Sequence, residues 1–163
     1  MATIEQRLKA LEDKREVLRT LHAYGHSLDY GDEAGFMDCW TEDALLGWSM
    51  VPEPLRGHAR IRDGFHRHTH APDFWHKHLM AEPRITMKGD IARVTSMFFR
   101  LDPYESTAGP EIYAFGRYED TLVRCADGRW RFTERIVKKE AARITAGPSQ
   151  DDQHRSAQRG GSL

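Results

Sequence analysis

The chain has 163 residues and a net charge of −1, and 39% of it is apolar, with four Trp, seven Phe and five Tyr. That length suits one domain with one core, and a near-neutral chain with its basic residues spread out excludes the usual basic nucleic-acid surface. Cys39 and Cys125 stand in no disulfide, redox or metal spacing, no apolar run reaches bilayer length, and the N-terminus lacks the apolar core of a secretory signal, so a cytoplasmic protein without membrane contact is expected.

The first element is a helix from about Ile4 to Tyr30, with Leu18, Leu21, Gly25 and Leu28 recurring at helical spacing and Gly31 as its cap. Asp29 lies four residues after Gly25 and seven after His22, which places all three on the inward stripe. Asp32 is the N-cap of a second helix running through Trp40 and burying Phe36 and Trp40. Ala44 to Met50 reads as a strand, "VPEPLRG" as a loop, and Gly57 to His70 as a third helix with Ile61, Phe65 and His68 as its inward candidates. Pro72 and Asp73 break it. Four strands complete the fold: "WHKHLMAEPRITM" with an interruption at Pro83, "IARVTSMFFRL", "EIYAFGRYEDTLVRC" and, after an "ADG" hairpin turn, "RWRFTERIVKKEA". The polar stretch 147–163 carries no apolar anchor and reads as a disordered tail to a domain over 1–146. Two helices, a strand, a helix and an antiparallel meander make an α+β fold, its curved mixed or antiparallel sheet closed by three N-terminal helices into a cone with an internal pocket.

Chemistry-bearing residues concentrate in "HRHTHAPDFWHKH", which holds five of the nine histidines. His66, His68 and His70 fall at the end of the third helix, where solvated polar side chains are expected. His76 and His78 share one face of a strand by its period of two; which face is inward stays open, since Leu79 and Met80 lie on opposite ones. Asp29 on the inward stripe needs a partner if it is buried, because a lone buried carboxylate is costly; at a helix end it can instead meet solvent. His76, His78, Glu82 and Gly89 have the spacing of a first cupin motif, two imidazoles and a carboxylate suiting a non-haem metal, but no later strand supplies another histidine, so no metal site is assigned. Tyr24, Trp48, Tyr104 and Tyr113 offer donors to a substrate oxygen. Arg135 lies five residues after Trp130, on the opposite face of a regular strand, and would attract an anionic group if it points into the pocket. No phosphate loop or nucleophile elbow is present, and no cofactor is expected.

Three stretches together resemble the SnoaL-like branch of the nuclear transport factor 2-like superfamily. "LRTLHAYGHSLDYGDEAGFMDCWTEDALL" is similar to the family's first helix, turn and second helix; "LRGHARIRDGF" to its third helix; and "FGRYEDTLVRCADGRWRFTERI" to its last hairpin. The likeness spans about residues 5–144. It implies the cone fold and cofactor-free proton transfer at carbon, as in scytalone dehydratase, bile acid 7α-dehydratase, hexachlorocyclohexane dehydrochlorinase, polyketide cyclases and the more distant ketosteroid isomerases. It also admits non-catalytic binding or subunit-interaction modules, and it implies a homodimer or homotrimer formed through the sheet.

By the same resemblance, Asp29 and His78 match a dehydratase pair in which an aspartate at the end of the first helix holds a histidine on the strand after the third. Arg135 resembles a pocket arginine, and Tyr24 sits near a family tyrosine. The second histidine or acid that some members carry on the next strand is missing; Met97 and Phe99 there imply a more apolar pocket. Trp48, Phe65, Met80, Met97, Phe99 and Tyr113 are expected to shape it around a small-molecule substrate, with elimination, isomerisation and cyclisation all open.

Overall fold

A computed structural model describes residues 2–49, 52–103 and 111–142. Tyr104 and the 147–163 tail lie outside the described residues. Helix α1 spans Ile4–Tyr30. Thr3 and Gln6 cap its start reciprocally, each side chain bonding the other's backbone N–H, which satisfies donors that the first turn leaves open. Gly31 ends it in the left-handed region at φ 72°, where a Cβ would be strained. Ile4, Leu8 and Leu11 are exposed, and burial begins at Val17 and continues to Asp29. Leu18 is only partly buried and His22 is exposed, so the inward stripe runs through Leu21, Gly25 and Asp29 without His22.

Helix α2 covers Glu33–Asp38, with Asp32 accepting from the Gly35 N–H as expected of an N-cap. It stops before Trp40, which instead opens strand β1, Trp40–Trp48. The two-residue strand β2, Leu55–Arg56, pairs antiparallel with β1 inside the segment read as a loop. Helix α3 is shorter than its sequence pattern indicates, Gly57–His66. Strands β3 (Lys77–Lys88), β4 (Ile91–Asp102), β5 (Glu111–Arg124) and β6 (Trp130–Ala142) form the antiparallel meander.

The sheet order is β2-β1-β6-β5-β4-β3, with β1 parallel to β6. The class is thus α+β, one curved six-stranded sheet with helices over its concave face. Phe36, Trp40, Ile61, Leu122, Trp130 and Phe132 fill the space between. No helix among the described residues is long and apolar enough to cross a membrane.

Bulges in the strands help decide which side chains face inward. Pro83 sits in an irregularity of the edge strand β3, between Ala81 and Arg84, with Glu82 at φ 48°; an edge is where a strand tolerates a missing N–H. Tyr113 has no partner on β4, because Arg100 pairs with Ala114 and Leu101 with Ile112. Thr133 is skipped between the Thr121–Glu134 and Leu122–Phe132 pairs. An extra residue reverses the alternation beyond it. Trp130 and Arg135 therefore both point inward, not to opposite faces as a regular strand would place them.

Arg135 and Asp120 form a bidentate pair at 2.8 and 2.7 Å, and both side chains are fully buried. The guanidinium lies 4.1 Å from the ring centres of Tyr24 and Tyr118 and 4.3 Å from Phe132. Removing one member of such a pair strands a charge in the core. Asp120→Ala should lose about 3–5 kcal/mol in chemical denaturation, and the double variant Asp120→Leu/Arg135→Met should recover most of it; equal losses in the two would contradict this account of the pair.

Candidate active site

The last turn of α1 runs against the start of β3. At their crossing a Cβ on Gly25 would stand 3.0 Å from the His78 carbonyl oxygen, so the glycine permits the approach. That contact brings Asp29, from the end of the helix, onto His78 of the strand. The Asp29 carboxylate accepts two hydrogen bonds from this one residue: Oδ2 from the backbone N–H at 2.9 Å and Oδ1 from the ring Nδ1 at 2.7 Å. A carboxylate only accepts, so Nδ1 carries a proton, and in the neutral ring the lone pair is on Nε2.

The connection between α3 and β3 wraps round this pair. His70 stacks on Phe65, with ring centres 4.4 Å apart, and its Nδ1 meets the Leu28 carbonyl at 2.5 Å, fastening the segment to the end of α1. The Ala71 N–H donates to the Asp29 carbonyl at 2.9 Å. His66 is exposed and pairs with Glu33. Of the three helix-end histidines, only His66 is therefore the solvated side chain expected, because α3 ends there and the chain folds back over the site.

His76 is completely buried behind the pair, its Nε2 3.6 Å from Asp29 Oδ1. Burial pushes its pKa down to about 2, and His68 and His78 beside it add to the shift, so the ring stays neutral.

A cavity of about 320 Å³ opens on one side of His78, lined among others by Tyr24, Leu28, Trp48, His68, Phe98, Arg100, Tyr113 and Tyr118. A second, of about 350 Å³, lies between α1 and β3 and is lined by His22, His26, Asp29, Lys77 and Met80. Tyr24, His78 and Tyr118 border both. Burial drives the pKa of both phenols upward, the Arg135 guanidinium opposing it, so both stay protonated.

The structure thus brings together Asp29, His78, Tyr24, Trp48, Met80 and Tyr113 of the residues singled out in the sequence. Four others stand elsewhere. Arg135 lies beneath the tyrosines, engaged by Asp120, and lines neither of these two cavities. Phe65 is a core residue under His70. Met97 and Phe99 point to the outer face of the sheet, because Ala92, Val94, Ser96 and Phe98 take the inward positions of β4. The cupin set is not assembled: Glu82 is exposed at the β3 bulge.

His68, read as inward on the third helix, lies on the segment after it and reaches the cavity; missed were Arg100 and Tyr118. Alternation along β4 and β5 carried the signal for the last two: Phe98 and Arg100 continue one face, and Tyr118 shares a face with Asp120. Arg100 is paired with Asp102 and lies over the Tyr113 ring at 4.7 Å.

The SnoaL-like domain model matches residues 9–136. The chain belongs to the SnoaL-like domain family. Solved structures agree in fold. An NTF2-like protein with a cystatin-like fold from Novosphingobium aromaticivorans is 21% identical, with a TM-score of 0.76 over 94% of this chain and 97% of its own. ActVI-ORFA from Streptomyces coelicolor is 25% identical, with a TM-score of 0.69 over 78% and 96%. A scytalone dehydratase-like protein from N. aromaticivorans is 19% identical, with a TM-score of 0.70 over 85% and 91%. No curated protein sequence matches the chain.

The crossing at Gly25 limits how closely α1 and β3 can approach at this SnoaL-like site. Gly25→Val should cost about 1–3 kcal/mol by overpacking, read by chemical denaturation; unchanged stability would show that α1 does not press on β3 there.

Proposed function

We propose that this SnoaL-like protein is a cofactor-independent enzyme that abstracts a proton from carbon, with His78 as general base and Asp29 as the group that orients it. The observation that carries the reading is the 2.7 Å Asp29–His78 bond at the border of a cavity of about 320 Å³. That bond fixes the Nδ1–H tautomer and leaves the Nε2 lone pair for a substrate C–H. Asp29 then stabilises the imidazolium that forms.

The electron pair released at carbon moves into a new double bond. In an elimination, a β-hydroxyl or halide departs with its bonding pair, and the imidazolium proton can return to a departing oxygen. In an isomerisation the same proton goes back to a different carbon; in a cyclisation the carbanion attacks a carbonyl of the same molecule.

Negative charge develops away from His78 and needs donors already in place. Tyr24, Tyr113 and Tyr118 line the cavity with Arg100, which takes the part that the sequence suggested for Arg135. The rest of the lining is mostly apolar, Leu28, Trp48, Phe98, Ala114 and Val137, with His68, Ser49 and Lys139 beside them. A cavity of this size, at the small end of the usual range of about 300–1,000 Å³, suits a compact apolar or cyclic molecule carrying a carbonyl or a leaving group.

The outer face of the sheet exposes Leu79, Met97, Ile112 and Phe115. Such an apolar surface supports association of copies of the chain through the sheet.

The test is turnover of compact cyclic substrates bearing an acidic C–H. His78→Ala should lower kcat by about 10²–10⁴-fold with an unchanged circular dichroism spectrum. Turnover that survives the substitution would remove His78 from the base role. Ligand binding without turnover in the wild type would make the protein a binding module.

A further inference from the structure

The proton-transfer reading leaves two imidazoles of the site unused. His76 is fully buried, and neither of its ring nitrogens has a hydrogen-bond partner. Buried polar groups are nearly always satisfied, and an exception asks for a water or an ion. Asp29 Oδ1, at 3.6 Å from Nε2, is beyond hydrogen-bond reach. The His76 ring centre lies 4.7 Å from that of His68 and 5.1 Å from that of His78. One ring nitrogen from each of the three histidines falls within 4.8 Å of the other two.

We propose that His68, His76 and His78 form a binding site for a borderline divalent cation, with Zn²⁺ as the type case and Asp29 as the carboxylate behind the ligands. An all-imidazole donor set suits Zn²⁺, Cu²⁺ or Ni²⁺, whereas Mg²⁺ and Ca²⁺ require oxygen. Three histidines with a fourth position open to the cavity is an established zinc geometry, with Zn–N distances of about 2.0–2.1 Å. The nitrogens then stand about 3.3 Å apart in a tetrahedron, so the rings must close from the present spacing. His68 lies on the segment that connects α3 to β3, not on a strand, so the closure falls to it.

The surroundings are those of a ligand set. A ligating histidine commonly gives its other ring nitrogen to a carboxylate or carbonyl. His78 gives Nδ1 to Asp29, and His68 Nδ1 meets the Thr69 carbonyl at 2.7 Å. His76 faces Asp29 with Nε2, which leaves Nδ1 for an ion. Asp29 supplies the negative charge that a dication needs, and the cationic Arg100 is held by Asp102.

The site stands on these contacts alone; its consequence rests on the proton-transfer reading. A cation coordinated by His78 occupies the lone pair that would take the proton, so bound metal and turnover exclude each other.

The test uses the full chain, stripped with a chelator and dialysed. Zn²⁺ binding is followed by calorimetry and Co²⁺ binding by visible absorption. The expected result is one ion per chain, tetrahedral Co²⁺ bands, and no competition from Mg²⁺. Asp29→Asn should weaken binding about 10–100-fold. His68→Ala, in the connecting segment, should weaken it more, and His66→Ala, at the exposed histidine, should leave it unchanged. Equal Zn²⁺ affinity in wild type and His68→Ala, or no binding at all, would overturn the proposal while leaving the role of His78 intact. Full turnover with the site loaded would overturn the exclusion.

Discussion

The burial of the Asp29 carboxylate is the constraint on which the site depends. Asp29 sits in the last turn of α1, where the negative end of the helix dipole already disfavours an anion, and only 3% of it is exposed. Two donors from His78 offset that cost, one from the backbone and one from the ring. Because both come from one residue, the carboxylate fixes the position of the strand and the orientation of the imidazole together. Gly25 sets how closely the strand can come, His70 fastens the following segment to the helix end, and Gly31 turns the chain away directly afterwards.

The concave face carries a second buried charge, and the contrast between the two is instructive. Arg135 and Asp120 satisfy each other in a bidentate pair with no exposure, beneath the rings of Tyr24 and Tyr118. That pair is closed: it supports the floor of the cavity and lends its field to the phenols above. The Asp29–His78 pair is open, because the His78 side chain keeps 12% of its surface and borders both cavities. Similar residue chemistry thus does two jobs, and access rather than charge separates them.

Periodicity made much of this legible in the sequence. The helical stripe from Leu21 to Asp29 and the meander of four strands follow from local pattern, and the order of the motifs carried the family. The pairing of Asp29 with His78 joins residues 49 apart in sequence; periodicity gave each its face and the resemblance joined them. What stayed hidden depends on parity. A strand reads correctly only while its alternation is unbroken, and the bulge at Thr133 reverses it, placing Arg135 on the same side as Trp130. On β4 the alternation is regular, but Met97 and Phe99 fall on the outer face, since both faces of that strand carry apolar residues. His68 was placed on the wrong element: α3 stops at His66, about one turn short of its helix pattern, and the chain then folds back over Asp29.

The account requires the His78 ring to be held as the Nδ1–H tautomer by Asp29, and this is measurable without a substrate. In protein labelled with ¹⁵N-histidine, the His78 ring nitrogens should show a protonated Nδ1 and an unprotonated Nε2 when the imidazole is neutral, and Asp29→Asn should abolish that preference. A neutral His78 protonated on Nε2 in the wild-type protein would contradict it, since the lone pair would then face the carboxylate instead of the cavity.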